Sequence, residues 1–400
     1  MLSLPAGVAA FAGSPQGVAP ALALTALLGL LSAYGFVLIA DACTRTGEAT
    51  FAGAWGKTVS ERTRWIPLTA CAVKAGLGCV AFSMILGDCL PLILSPLGLP
   101  APLASRSAAI LLVTVAALLP LCRMKSLAPL AKFSALGVLS NVYVCFFIVL
   151  RCVDGSYRPG GAMLRGGTLA PQFSAPASSA WAAIGDPRLL VLVSILSTAF
   201  LAHYNSPMFY RQLDPGPGGD KMGRFAVVTV ASFMITGCIF STVMVGGFLT
   251  FGTSCSGLIL NNYSASDTLA FVARAAIALS LVTSYPLVFA NVRQQFLTLI
   301  GDRGEAFAAK RPDAFTVLLL AAVTSLALCL RDLGKLVAIS GAVFANFLIY
   351  VAPALMVLSA QRRNMGPCQK GPLGVASRAC QAGMIPLGLL LGCIGVKMIL

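Results

Sequence analysis

Long uncharged apolar runs alternate with short polar connectors along the whole chain. Ten runs are long enough to predict membrane helices: Val18–Cys43, Ile66–Leu94, Ser107–Leu121, Leu127–Leu150, Arg188–Tyr210, Phe225–Phe251, Leu269–Asn291, Ala314–Leu330, Leu336–Leu358 and Gly383–Leu400. The opening stretch Met1–Ala12 is equally apolar. At ~1.5 Å per residue it reaches about 18 Å, too short for a hydrocarbon core roughly 30 Å thick. With this incomplete first helix the pattern predicts an all-α polytopic membrane protein of about eleven transmembrane helices. A β-barrel does not fit, because the runs are continuously apolar rather than alternating.

The connectors set the orientation. Most of the 28 Lys and Arg residues fall in every second loop, among them Arg45–Arg64, Arg211–Arg224, Arg293–Arg311 and Arg362–Arg378. Such loops are cytosolic by the positive-inside bias, which places the start of the first helix in the cytosol. Lys125, Lys132 and Lys370 are counted on that side, Arg165 on the other. The net charge of +15 therefore reports topology, and no nucleic acid partner is expected. Only 10% of residues are charged and the mean hydropathy is +0.88.

One loop is long. Cys152–Pro187 is rich in Gly, Ser, Pro and Ala and lies on the outer side. It divides five helices from the six that follow, which suggests an inverted five-plus-five repeat: 1–150 as the first repeat, 151–187 as the loop, 188–360 as the second repeat and 383–400 as an extra helix. In secondary transporters with such repeats, the first and sixth helices are interrupted and substrate sits at the breaks. Both halves offer a break: Pro5 in "LSLPAG", and His203, Asn205 and Pro207 in "STAFLAHYNSPMFYRQL". Proline removes a backbone donor and disfavours helix just before it. Proline kinks also occur for packing alone.

Polar residues at membrane depth suggest function. His203 is the one histidine, suited either to sensing protons or to a neutral hydrogen bond across helices. Ser280, Thr283 and Ser284 share a helix face and either coordinate Na+ through hydroxyl oxygens or glue helices together. Lys74 is expected to snorkel to the cytosolic surface, and Asp88 to reach headgroups on the outer side. Gly341, Ala342 and Ala345 predict close helix packing. Thirteen cysteines include no C-x-x-C pair, so a zinc site is not expected. Cys152 and Cys255, both on the outer side, are either a disulfide or two free thiols. Asn262 heads an N-Y-S glycosylation sequon on that side.

With these residues in place, the chain resembles the amino acid/auxin permease family, particularly its sodium-coupled neutral amino acid transporter branch. Met1–Ala6 match the second part of that family's first-helix G-x-G-[IVM]-L-[GS]-L-P/S stretch. "FSMILGDCLPLIL", "LPLCRMKSLAPLAKFSALGVLSNVY", "AFLAHYNSPMFYRQL" and "SYPLVFANVRQQF" are similar to its third-helix end, fourth loop, sixth helix and eighth-helix exit. The resemblance implies the inverted-repeat fold of the bacterial leucine transporter and transport of small neutral amino acids coupled to Na+ or H+, with no other cofactor. It implies Ser3, Ser197, Phe200, His203 and Asn205 as substrate-lining residues, and Ser284, with Thr283 and Ser280, as ion ligands. The G-x-G turn would precede Met1, so the reading expects a start assigned inside the motif, and a clipped end at "VKMIL". The alternative is an amino acid sensor or regulatory relic that does not transport. A membrane-embedded enzyme would need clustered His, Asp or Glu at depth and is not expected. The membrane is a plasma or a vacuolar/lysosomal one.

Overall fold

The computed structural model describes residues 1–94, 105–124, 134–164, 170–174, 185–216, 218–365 and 372–399. Lys125, Lys132, Arg165, Lys370, Cys368, the start of the expected fifth helix before Ser134 and much of the long outer loop lie outside them.

The described residues are helical, with one isolated bridge pair and no named strand. In chain order the helices are α1 (Leu4–Phe11), α2 (Val18–Thr46), α3 (Phe51–Thr58), α4 (Trp65–Leu94), α5 (Arg106–Cys122), α6 (Ser134–Val153), α7 (Leu189–Phe200), α8 (Ser206–Gln212), α9 (Lys221–Phe251), α10 (Thr268–Ile300), α11 (Asp302–Lys310), α12 (Pro312–Cys329), α13 (Leu333–Arg362) and α14 (Pro372–Ile399). Eight segments are long and apolar enough to cross a membrane, while α5 and α12 are apolar but shorter. Several helices overrun their apolar runs. The 33 residues of α10 span about 50 Å, beyond the ~30 Å core, and Arg293 lies in that overrun. Capping fixes the starts. Asp267 accepts from the N–H groups of Leu269 and Ala270 to open α10, Thr50 caps α3, and Ser105 caps α5.

The chain divides into two compact units. Unit 1 comprises Met1–Ala19, Ala72–Asp186 and Ser241–Val337; unit 2 comprises Pro20–Cys71, Pro187–Phe240 and Ala338–Leu400. Each draws on both halves of the sequence.

In unit 1, α1 is held by its start: the Leu2 carbonyl accepts from Ile259 N–H at 3.0 Å, and Leu4 and Val8 are fully buried. Pro5 occupies the first turn of α1, where a missing N–H costs nothing. A knot of rings, Phe147, Tyr157, Phe251 and Tyr263, packs at centroid distances of 4.5 to 5.4 Å. Beside it Arg151 grips both oxygens of Asp267, at 2.8 and 2.6 Å, and Tyr157 donates to the same carboxylate at 2.9 Å. Arg274 is 1% exposed and donates to the carbonyls of Leu260, Tyr263 and Ser264, which fastens the α9–α10 loop to α10. Asp88 does not reach for headgroups. It pairs with Arg106 at 2.7 Å, because a carboxylate within an apolar helix is better compensated by a neighbouring guanidinium. Lys74 does not snorkel either: it is buried, at 8% exposure. Cys152 and Cys255 are two free thiols.

Unit 2 packs through small residues, as the Gly341, Ala342 and Ala345 pattern predicts; all three are buried. A Cβ on Gly341 would overlap the Ser194 carbonyl oxygen, so α13 approaches α7 backbone to backbone. Two π-turns, Gly341–Ala345 and Phe347–Val351, widen α13 over this stretch. The outward faces of both units are apolar. Val138, Leu139 and Phe146 on α6, and Val227, Met234 and Ile235 on α9, are exposed, as suits helices bathed in lipid.

Candidate functional site: the break between α7 and α8

The sixth apolar run is not one helix. α7 ends at Phe200, Leu201 is extended, His203–Asn205 form a 3-10 turn, and α8 begins at Ser206 with Pro207 in its first turn. The sequence explains the rupture. Pro207 cannot donate to the His203 carbonyl, so a helix cannot run on unchanged through this turn, and the proline sits in the first turn of α8 instead. With Leu201 extended, the last carbonyls of α7 lose their usual partners, although the Leu201 N–H still reaches Thr198 O at 3.4 Å.

Two side chains pin the break to α2. His203 Nε2 lies 2.9 Å from the Ser32 carbonyl, and the Ser206 hydroxyl donates to the Phe36 carbonyl at 2.6 Å. A carbonyl can only accept, so Nε2 carries the proton. The ring is fully buried, edge-on to Phe36 and Phe233, and its Nδ1 has no hydrogen-bond partner. Gly35 makes this approach feasible. A Cβ there would overlap the Ile349 carbonyl oxygen and stand 3.2 Å from His203 Nε2.

Around Ser32 the polar groups are crowded but unsatisfied. The Tyr350 hydroxyl interacts with those of Ser197 and Ser32. None of the three reaches the geometry of a full hydrogen bond, and all are buried without a partner. We read them as neighbours with unused hydrogen-bonding capacity. Asn346 Oδ1, four residues before Tyr350, is also unpartnered. Buried orphans are uncommon in native proteins and call for an explanation such as a water, an ion or a ligand.

The expected substrate residues therefore divide. Ser197 and His203 converge on Ser32. Phe200 turns instead into an aromatic cluster, stacked on Phe233 at 6.0 Å and packed on Phe240 at 5.1 Å. Asn205 is half-buried at the start of α8 and makes no side-chain cap. Ser3, in unit 1, stands at the start of α1, buried, and makes no side-chain cap either. The expected ion ligands on α10 are half-buried, and the Thr283 hydroxyl bonds back to the carbonyls of Leu279 and Ser280 at 3.0 Å. Asn262 is fully buried. Its side chain donates to Ser254 O and accepts from the Ser256 N–H and hydroxyl, so the atom that would carry a glycan is engaged inside the loop. Sequence reasoning missed Ser32 and Tyr350. Each is one polar residue in an apolar run, the same weak signal that dozens of packing residues give.

The profile of the family described as transmembrane amino acid transporter protein matches residues 1–397. Relatives include the amino acid transporter AVT6E of Arabidopsis thaliana, 28% identical over 63% of this chain; that match spans half of the plant protein's length. The sodium-coupled neutral amino acid transporter 7 of Xenopus laevis is 26% identical over 86% of this chain and 74% of its own. Solute carrier family 38 member 8 of Homo sapiens is 27% identical over 86% of this chain and 78% of its own. These relatives are transporters rather than enzymes. With its apolar helices and its broken sixth segment, the chain belongs to the transmembrane amino acid transporter family.

Proposed function

We propose that the protein carries small neutral amino acids across a membrane by secondary active transport coupled to Na+ or H+. The observation that carries this reading is the break at His203, where buried polar atoms of Ser197, His203 and Tyr350 are left unpartnered in a chain of this family. A zwitterionic substrate brings both donors and acceptors, which is what such a break can take up. Ser197 and His203 are assigned to the substrate, with Asn205 contributing a helix-start polar group and Phe200 an apolar wall. Ser284, with Ser280 and Thr283, is assigned to the coupling ion. The names of several relatives include sodium coupling and neutral amino acids, and they support the same assignment.

The test is uptake of labelled alanine or glutamine into proteoliposomes, with external Na+ replaced by choline and with a pH gradient imposed or collapsed. Uptake driven by either gradient and lowered at least ten-fold by His203→Ala is the expected result. Saturable amino acid binding with no uptake under any gradient would replace transport by sensing. Uptake unchanged in His203→Ala and Ser197→Ala would remove the site assignment.

A further inference from the structure

Unit 2 contains a cavity of about 470 Å³ that shares only Phe200 with the residues assigned to the substrate. Five phenylalanines dominate it: Phe36, Phe200, Phe209, Phe225 and Phe233. It follows α9 from Phe225 to Thr236, which is about 16 Å of helix at 1.5 Å per residue. That length is roughly half the hydrocarbon core, or one leaflet. Two of its three hydroxyls are already used, since Ser232 donates to Val228 O and Thr236 to Ser232 O. The walls therefore offer a mostly apolar surface. Phe209, Val228 and Ser232 are exposed, and only 22% of the α9 span is buried, so the cavity opens on the face turned to lipid.

One end of the cavity is basic. Gln212, Leu213 and Phe225 line that end, and Arg211, Lys221 and Arg224 flank them. Tyr210 stands edge-on to Phe225 at 5.2 Å, and the Lys221 ammonium sits 5.0 Å over the Tyr210 ring. Arg224 donates to the Asp214 carbonyl at 3.0 Å and Lys221 to the Arg211 carbonyl at 3.3 Å, so these two cations are gathered at the turn between α8 and α9. The carboxylates of Asp214 and Asp220 serve as backbone caps, accepting from Gly216 N and Gly223 N. Among the described residues, no ion pair involves Arg211, Lys221 or Arg224.

We propose that this cavity binds one anionic glycerophospholipid, with an acyl chain along the phenylalanine groove and the phosphate on Lys221 and Arg224. Charge complementarity selects the occupant. A zwitterionic lipid fills the groove equally well but gains less at a pair of cations, and basic clusters at the cytosolic ends of helices attract anionic lipid. The loop that carries them is cytosolic on the positive-inside reading, the leaflet where such lipids are found.

Native mass spectrometry of the full chain tests it. Protein in dodecyl maltoside is mixed with dioleoyl phosphatidylglycerol or dioleoyl phosphatidylcholine at equal concentration. The expected result is about ten-fold greater retention of phosphatidylglycerol, falling to the phosphatidylcholine level in the Lys221→Gln/Arg224→Gln double variant. Ser232→Phe adds bulk at an exposed groove residue without overpacking the core, and is expected to lower retention of both lipids. Equal retention of the two lipids by the unaltered chain overturns the proposal. So does phosphatidylglycerol binding that survives Ser232→Phe, because it would place the lipid on the surface rather than in the groove. Displacement of the lipid by millimolar leucine overturns it as well, since the groove would then belong to substrate. None of these readouts depends on uptake, so failure here and failure of the transport reading are separable.

Discussion

The two units bury polar groups in opposite ways. Around Asp267 in unit 1, charge meets charge and backbone: Arg151 chelates the carboxylate, Tyr157 and two helix N–H groups add to it, and Arg274 closes three carbonyls. Only Arg274 Nε and the Tyr263 hydroxyl are left over there. Around Ser32 in unit 2 the groups are neutral, and the atoms left over are Ser32 Oγ, Ser197 Oγ, His203 Nδ1, Tyr350 Oη and Asn346 Oδ1. A buried charge without its partner costs several kcal/mol, about 3–5 when a pair is broken, so the first cluster has to be completed for the loop to fold. A buried neutral hydroxyl without a partner costs about 1–3 kcal/mol, which a fold can tolerate. The first arrangement is closed by charge except at those two atoms. The second keeps capacity that something else must use.

The comparison breaks most easily at Asp267. Asp267→Asn removes the charge that Arg151 and Tyr157 address and is expected to cost about 3 kcal/mol or more. The measurement is the thermal midpoint in detergent; a shift smaller than that of conservative surface substitutions would show that the network is ornamental. The same residue sets a pH dependence. Burial alone would raise the Asp267 carboxyl, but the hydrogen bonds from Arg151 and Tyr157 and the Arg151 charge outweigh it and hold the group below its ordinary value of 3.8. Its contribution is therefore fully present above about pH 4 to 5 and is lost as pH falls through the depressed value. Unfolding midpoints should be flat from neutrality to pH 5 and fall below pH 4, and Asp267→Asn should flatten the acid limb.

A smaller effect is expected where α2 meets α13. Gly35→Ala drives a methyl into the Ile349 carbonyl and toward His203, both of them held by neighbours. Overpacking of this kind costs about 1–3 kcal/mol. It should also displace the His203 pin, so uptake falls along with the melting midpoint. Unchanged uptake in Gly35→Ala would mean that the pin is not needed for transport.

How much of this could be read from the sequence differs between the units for the same physical reason. Helix positions were legible because a hydrocarbon solvent imposes a length and forbids charge, and the break at Pro207 was legible because proline chemistry is local. His203 and Ser197 stood out as polar residues beside that break. The partners were not legible. Asp88 and Arg106 belong to different helices, and nothing local says that they pair. Lys74 looked free to snorkel because the sequence does not show what packs over it. Asn262 carries a valid sequon, yet its burial arises from a loop that doubles back so that Ser254 and Ser256 meet it. Ser32 and Tyr350 gained meaning only when α2 and α13 brought them to α7.

The smallest expected effect on stability is the sharpest for function. Ser197→Ala removes a fully buried hydroxyl that makes no complete hydrogen bond. In the Asp267 network a deletion strands its partners. Here it takes away only an incomplete contact with the Tyr350 hydroxyl, and the desolvation cost of the Ser197 hydroxyl disappears with it. The melting midpoint should therefore stay level or rise slightly, while the KM for amino acid uptake rises several-fold because the substrate loses a partner. His203→Gln sharpens the same point. The glutamine amide can keep the donor to the Ser32 carbonyl, so the fold survives, but it replaces the ring nitrogen that faces no partner. A Ser197→Ala protein that melts well below the unaltered chain would show that the hydroxyl is already committed inside the fold. The two units would then bury their polar groups by the same rule, and the capacity assigned to substrate would not exist.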